Sequence, residues 1–183
     1  MAFEYRGTES NGSVDGKLKT YAVDSGHGGV LGPGDLVIIT GDGSTTGVSE
    51  VDIGLTTNNT GVIDSVLPTF AGEALSQTHL AASTAGNVLV NVDGGAIYDV
   101  PVSNGPLSVD DVGLNSPAVV TVGTVSGSVF TSNMGINATG KATTSTLALR
   151  IVALKEDSAG VLGNRALVRL NFTTSSAGAA GIG

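Results

Sequence analysis

Glycine interrupts this chain so often that few segments can hold a helix of ordinary length. There are 28 glycines among 183 residues, and a stretch such as 26–34 cannot be helical because glycine and proline both destabilise a helix interior. Short runs of Val, Ile, Leu and Thr lie between the glycines, and such runs favour strands. The sequence therefore predicts an all-β fold. We expect it to be mainly antiparallel, a compact sandwich- or barrel-like domain with long loops and at most one or two short helices.

The hydrophobic core of such a domain has to be aliphatic. Hydrophobic residues make up 40% of the chain, but aromatic residues make up only 4% and there is no tryptophan. Burial of Val, Ile, Leu and Ala, at about 25 cal/mol per Å² of apolar area, must then supply most of the stability. Because the chain has no cysteine, neither a disulfide framework nor a thiolate metal site can contribute.

The first half of the chain contains three runs that predict strands. Residues 35–40 are apolar on both faces, which indicates a central strand. Residues 48–53 carry Glu50 and Asp52 on one face, and charges of this kind are typical of an edge strand. A further short strand is expected over residues 62–67, just before a proline.

A hairpin is expected around Asp93 and Gly94. Alternating runs over 88–92 and 96–102 flank this pair, and Asp-Gly favours the tight turn that joins antiparallel strands. Pro101 would place the second of these strands at a sheet edge, or end it there, because proline has no backbone donor.

The last third of the chain carries the strongest strand pattern. Residues 147–154 read as a long buried strand, and after a charged loop the run 165–172 alternates cleanly. Ala166, Val168, Leu170 and Phe172 share one side, while Arg165, Arg169 and Asn171 share the other. The two runs predict a long hairpin that closes the core.

We expect three segments along the chain: an extended N-terminal arm over residues 1–17, a single β-rich domain over 18–174, and a flexible tail over 175–183. Within the domain, residues 108–111 resemble a capping box and predict one short helical turn. Residues 72–82 fit a short helix, a loop or an irregular strand, and residues 132–144 predict a long loop.

The composition argues against several classes of function. Two histidines, His27 and His79, and no cysteine leave few side chains for acid–base or nucleophilic chemistry, so we expect no catalytic residues. A net charge of −8 argues against nucleic acid and against an anionic membrane. The N-terminus has no apolar core of a secretory signal, and no apolar run is long enough to span a bilayer.

Cofactors are not expected. The glycine-rich loops lack the lysine and the following helix of a phosphate-binding loop. Calcium in acidic loops, at Asp42, Asp52 or Asp110 with Asp111, is the one metal site that this composition could supply.

Two groups of residues are candidates for contact with a partner protein. Phe3, Tyr5 and Arg6 lie in the expected arm, where the aromatic side chains either pack on the chain's own core or anchor a partner. Arg165 and Arg169 lie with Arg150 in the C-terminal hairpin. These arginines form either an ordinary solvated face or an interface patch, since arginine is favoured at interfaces.

The stretch from Lys19 to Lys155 resembles the head decoration, or cement, proteins of tailed bacteriophages. The resemblance is carried by the run from Gly32 to Val37, the run from Gly61 to Asp64, the turn at Asp93-Gly94 and the strand from Leu147 to Leu154. Those proteins are small, acidic, cysteine-poor β proteins with a mobile N-terminal arm. The resemblance implies a homotrimer at three-fold positions of the capsid.

We therefore expect a virion structural protein, made in the host cytoplasm, that binds the outer capsid surface and cements the lattice by bridging major capsid subunits. Its partners would be the phage major capsid protein and copies of itself. The alternatives are a phage tail, fibre or baseplate component, a bacterial surface or adhesin domain, and a small β-sandwich hydrolase or lectin. Poverty in aromatic residues argues against sugar binding.

Overall fold

The computed structural model of the protein describes residues 3–8, 17–43, 47–57, 59–67 and 78–171. These residues form fourteen strands and a single short 3-10 helix at Val109–Asp111, which confirms the predicted all-β class. The strands are β1 Glu4–Thr8, β2 Leu18–Val23, β3 Leu36–Gly43, β4 Ser49–Ile53, β5 Gly61–Leu67, β6 Gly86–Asn91, β7 Ala96–Ser103, β8 Asn115–Ser116, β9 Ala118–Val119, β10 Thr124–Ser126, β11 Val129–Thr131, β12 Gly135–Asn137, β13 Leu149–Glu156 and β14 Leu162–Leu170.

Five strands close into a small barrel in the order β2-β4-β3-β5-β6. All of its pairings are antiparallel except that of β2 with β4. Aliphatic side chains fill its interior, among them Val37, Val51, Ile63, Val88 and Val90. The chain alternates small β-branched residues here, and these pack well on a pleated surface.

The remaining long strands form a seven-stranded sheet. Its order is β8-β13-β14-β7-β12-β9, and β1 adds to β7. The inner side of this sheet holds a second apolar cluster that includes Tyr98, Ile136, Leu149, Ile151 and Val168. A separate two-stranded ribbon is formed by β10 and β11.

The barrel packs on the inner side of the large sheet. Leu36 and Val62 belong to barrel strands, yet their side chains lie in the apolar cluster of the sheet. The backbone N–H of Leu36 points at the sulfur of Met134 at 3.0 Å, and the N–H of Phe3 donates to the carbonyl oxygen of Gly34 at 3.4 Å. The opposite side of the sheet faces away from the barrel.

The predicted hairpin around Asp93-Gly94 is wrong. The turn forms, with the N–H of Ala96 donating to the carbonyl oxygen of Asp93 at 3.1 Å, but β6 pairs with β2 and β5 whereas β7 pairs with β1, β12 and β14. The glycines of this turn do not have positive φ, which the tight hairpin turn requires at its central positions. The turn therefore carries the chain from the barrel into the sheet.

Two strands predicted at edges lie between neighbours. The strand β4 contacts both β2 and β3 inside the closed barrel. The strand β7 is central in its sheet, and Pro101 faces Arg165 of β14. On its other side β7 pairs with β1 up to Asp99 and with β12 from Val102 onward, so the proline lies in the gap where no ladder donor is needed.

The expected N-terminal arm is part of the sheet over its described residues. Residues 4–8 pair antiparallel with β7, and Phe3 is only 4% exposed within the core of the sheet. Backbone pairing and the burial of a large aromatic ring together hold this segment in place. Phe3 is therefore a core residue here and not an exposed anchor for a partner.

The C-terminal hairpin is confirmed as the pair β13 and β14, with Ala166, Val168 and Leu170 buried as predicted. The first strand begins two residues later than predicted, at Leu149, and only one of its sides is buried. The helical turn after Ser108 also forms, with the N–H of Ser108 donating to Asp111 at 2.7 Å. The long loop expected over 132–144 contains the short strand β12. The predicted tail, Phe172 and most of the ambiguous segment 72–82 lie outside the described residues.

Candidate functional site: a basic face on the outer side of the sheet

The outward side of the large sheet concentrates the positive charge of this chain. Five of the eight lysines and arginines lie on it. Strand alternation places Arg150, Arg165 and Arg169 there, since their neighbours on the inner side are buried. A register shift between Ile151 and Ala153 in β13 brings Lys155 to the same side as Arg150, where it lies opposite Arg165. We call this surface the basic face, and its members are Arg6, Arg150, Lys155, Arg165 and Arg169.

Asp99 organises one half of the basic face. This aspartate projects outward from the centre of β7, yet it is only 1% exposed because three cationic side chains surround it. Lys155 donates to its Oδ2 at 2.5 Å, and Arg165 donates to its Oδ1 through Nε at 2.9 Å and through a terminal nitrogen at 2.8 Å. Arg6 reaches Oδ2 at 3.4 Å and also binds Glu4 at 2.8 Å.

The electrostatic balance around Asp99 favours its charged form. Burial alone would raise the pKa of this carboxyl, but the hydrogen bonds and charges of Lys155 and Arg165 outweigh burial and hold the pKa below the ordinary 3.8. One carboxylate thus fixes the positions of three cations from β1, β13 and β14. Each ion pair restrains its cation, which lowers the cost of ordering that side chain when a partner binds.

The other half of the basic face holds two arginines side by side. Arg150 of β13 lies directly opposite Arg169 of β14 in the register, and their flanking residues Leu149, Ile151, Val168 and Leu170 are buried. Like charges at directly opposed positions destabilise a sheet by a few tenths of a kcal/mol. Among the described residues no carboxylate forms an ion pair with Arg150.

The basic face gives the protein a strong charge asymmetry. Five cations against the carboxylates of Glu4, Asp99 and Asp157, which lie around the same groove, leave the face with a formal charge of +2, and since the whole chain carries −8, the rest carries −10. Leu167 lies between Arg165 and Arg169 on the same side and is partly exposed. A basic sheet face with an apolar residue at its centre has the features of a surface that binds an acidic partner.

The structure brings together three of the five partner-contact residues predicted from sequence. Arg6, Arg165 and Arg169 lie on the basic face. Phe3 and Tyr5 lie on the opposite side, where both rings contact Tyr98 edge-to-face. Sequence reasoning missed Asp99 and Lys155, because only the pairing of β7 with β14 brings Asp99 near a cation 66 residues away.

Neither histidine lies in a catalytic arrangement within the described residues. His27 is buried, with Nδ1 2.7 Å from the carbonyl oxygen of Gly29 and Nε2 2.9 Å from that of Thr84, so the ring ties two loops together. The ring of His79 stacks on Phe130 at a centroid distance of 6.2 Å. Its Nδ1 also lies 3.2 Å from the hydroxyl of Thr78, which donates to the carbonyl oxygen of Ser128 at 2.8 Å. Within the described residues no carboxylate is bonded to either ring in the manner of a catalytic triad.

The acidic loops do not assemble a metal centre in the described part of the chain, where no group of three or more His, Asp or Glu side chains comes together. The carboxylate of Asp111 instead accepts hydrogen bonds from Nζ of Lys141 at 2.7 Å and from the backbone N–H of Ser108. Burial opposes these bonds, but together they hold the pKa of Asp111 below its usual value. The carboxylate of Asp52 accepts the N–H of Ile53 at 2.6 Å.

Helices that could cross a membrane are absent from the described residues. Comparison with known proteins found no matching family model, no matching curated protein and no matching solved structure.

Proposed function

We propose that this protein is a virion structural protein that binds the outer surface of a phage capsid through its basic face and cements the lattice. The observation that carries the proposal is the placement of five of the eight cations on one sheet face of a chain with net charge −8. The phage capsid as partner comes from the sequence resemblance to head decoration proteins. The basic face supplies the chemistry of contact, which requires an acidic surface on the partner.

The architecture suits a protein that adds rigidity to an assembled surface. Two sheet systems share one packed junction through Leu36 and Val62, so the basic face is backed by a barrel and does not bend freely. A rigid face loses little conformational entropy on docking. Fixed cations also steer association with an acidic surface, an effect that weakens as salt increases.

Cementing follows from mass action. A protein that binds the assembled lattice, and not the free subunits, stabilises the lattice by RT ln(1 + [L]/Kd) at each site. Contacts made by several joined copies would add through effective concentration. We therefore also propose a homotrimer, which light scattering of the purified chain measures directly as a mass three times 18.0 kDa.

The location in the virion is tested by counting copies. Quantitative mass spectrometry of purified particles of the source virus gives the number of these chains relative to the major capsid protein. A count in the hundreds per particle supports lattice cementing. A handful of copies would instead place the chain in the tail or a fibre, and complete absence from particles would overturn the virion proposal.

A further inference from the structure

The ribbon formed by β10 and β11 has two unpaired edges. Within the described part of the chain these strands pair only with each other. No backbone hydrogen bond joins 124–126 or 129–131 to any other described segment. Each outer edge of the ribbon therefore presents backbone donors and acceptors that another strand can pair with. A two-stranded ribbon is only marginally stable in water by itself, so further pairing would stabilise it.

One side of the ribbon is anchored to the rest of the protein. The ring of Phe130 packs against Gly32 and Gly123, where a β-carbon on either glycine would overlap the ring. The ring of His79 stacks on Phe130 at a centroid distance of 6.2 Å. These contacts hold the ribbon in a defined position, with the side that carries Phe130 toward the body of the protein.

The other side of the ribbon and both of its edges are exposed. Val129 precedes Phe130, so strand alternation directs its side chain to the opposite side of the ribbon, where it is 63% exposed. Ser126 lies directly opposite Val129. All residues of the range 121–131 are exposed except Gly123 and Phe130. An exposed valine between two open strand edges is typical of a surface that pairs with another chain.

The ribbon also lacks charged side chains. The run between Asp111 and Lys141 contains no Asp, Glu, Lys, Arg or His, although the whole chain has a net charge of −8. Exposed edge strands are usually protected from pairing by charges, prolines or bulges. The ribbon has none of these, since its register runs without a shift, and only its short length limits pairing. Contact between two copies at this surface brings no like charges together.

We propose that the ribbon joins copies of this chain, with the outer edge of β10 in one copy pairing with the outer edge of β11 in the next. The geometry favours a second copy as the occupant, because one ribbon offers both of the edges that such a head-to-tail contact needs. Three ribbons joined in this way would close into a ring of antiparallel strands. Val129 would lie inside the ring, and Phe130 would face the body of its own copy. The inference rests on the proposed homotrimer and names its contact surface, but it requires no contact with a capsid.

The proposal is tested by light scattering of the full chain and of Val129→Lys, with Val109→Lys as the matched control. Val109 is 69% exposed and lies in the 3-10 helix, outside the ribbon. We expect the wild type and the control to have three times the mass of the 18.0 kDa chain. Val129→Lys should have the mass of one chain, because ammonium groups from all copies would meet where the ribbons join. A trimeric Val129→Lys protein would overturn the ribbon contact and leave the homotrimer intact.

Chemical crosslinking gives a second readout that introduces no charge. The chain has no cysteine, so a single introduced thiol reports on one position. With the short crosslinker bismaleimidoethane, Val129→Cys should give covalently linked pairs of chains, whereas Val109→Cys should remain single chains. A trimeric Val129→Cys protein that gives no linked pairs would contradict the ribbon contact.

Capsid binding is measured separately on the same proteins, by cosedimentation with phage heads that lack this protein. A wild type that forms trimers through the ribbon but does not bind heads would contradict the proposed capsid function and support the ribbon contact. A monomeric wild type would overturn the ribbon contact together with the homotrimer. If Val129→Lys lost head binding while its mass stayed that of the wild type, the ribbon would be a capsid contact, and the proposal would also be overturned.

Discussion

Arg150 and Arg169 lie directly opposite one another across β13 and β14, on the outward side of the large sheet. On the other half of the same face, Asp99 neutralises part of the charge of Arg6, Lys155 and Arg165. Like charges at directly opposed positions cost a sheet a few tenths of a kcal/mol. Under the proposed function, we expect the arginine pair to be the part of the basic face that contacts the capsid.

Asp99 should make its largest contribution to stability at neutral pH. Asp99→Asn removes the charge that Lys155 and Arg165 bind, and we expect a loss of about 2 kcal/mol at pH 7 in urea unfolding. Because the folded-state pKa is lowered from 3.8, this contribution is present above about pH 4 and is lost as the pH falls through the folded-state value.

The matched control for Asp99 is Glu156→Gln, which removes an exposed carboxylate from the end of β13. Its effect should stay within about 0.5 kcal/mol. An Asp99→Asn protein as stable as wild type at pH 7 would contradict the organising role of this carboxylate.

Asp35 should have the opposite pH dependence. This residue is fully buried, and burial raises its pKa to about 6, although bonds from Ser132 and Gly32 act against the increase. The folded state then holds a proton that the unfolded state has released between about pH 4 and pH 6, so stability falls as the pH rises through this interval. The difference between the folded-state and unfolded-state pKa of Asp35 lowers the free energy of unfolding by about 3 kcal/mol above pH 6.

The isosteric variant Asp35→Asn tests this pH dependence. It keeps an oxygen for the N–H of Gly32, which Asp35 accepts at 3.1 Å. We expect the variant to be about 1–3 kcal/mol more stable than wild type at pH 7.5 and nearly equal to it at pH 4. Loss of stability at pH 7.5 would show that the buried charge is compensated.

Two glycines in the C-terminal hairpin should differ sharply in their tolerance of alanine. Gly160 and Gly163 both have positive φ, +77° and +85°. A β-carbon on Gly160 meets nothing within 4 Å, whereas one on Gly163 overlaps the carbonyl oxygen of Leu107. Gly160→Ala should cost about 1–2 kcal/mol. Gly163→Ala should lower the melting temperature and the soluble fraction of the protein clearly more than Gly160→Ala does. Equal effects would contradict the close approach of these two segments.

Phe3 should stabilise the fold through burial in the core of the sheet. Phe3→Ala is expected to cost about 3 kcal/mol in urea unfolding. Glu4→Gln changes the neighbouring, half-exposed side chain and should cost less than about 1 kcal/mol. An unchanged unfolding midpoint for Phe3→Ala would contradict the burial of Phe3 and favour the other alternative from the sequence, in which Phe3 anchors a partner.

Local pattern was sufficient to predict the fold class and the C-terminal hairpin. Ala166, Val168 and Leu170 alternate with Arg165, Leu167 and Arg169, and this period of two directly marks the buried side. Strand pairing between distant segments was not predictable in this way. The turn at Asp93 looks like a hairpin in sequence, but the two strands that it joins belong to different sheets. The strand β6 lies in the barrel and β7 lies in the seven-stranded sheet.

The candidate site was predictable only in part, for the same reason. The clustering of Arg165 and Arg169 is visible in sequence because both lie on one strand. Asp99 and Arg6 join them only through the pairing of β7 with β14 and β1, and Arg6 is 93 residues from Asp99 along the chain. Phe3 and Tyr5 were predicted as partner contacts because aromatic residues near a terminus resemble anchors, yet β1 turns both toward Tyr98.

The proposed docking of the basic face on a phage capsid is tested most directly by cosedimentation with phage heads that lack this protein. The variant Arg150→Glu/Arg169→Glu is compared with Lys17→Glu/Lys19→Glu, which makes the same charge change on exposed lysines near the barrel. We predict that the arginine variant loses binding at least about tenfold, while the lysine variant binds like wild type. Equal binding by both variants, with both folded, would contradict the assignment of the basic face as the docking surface.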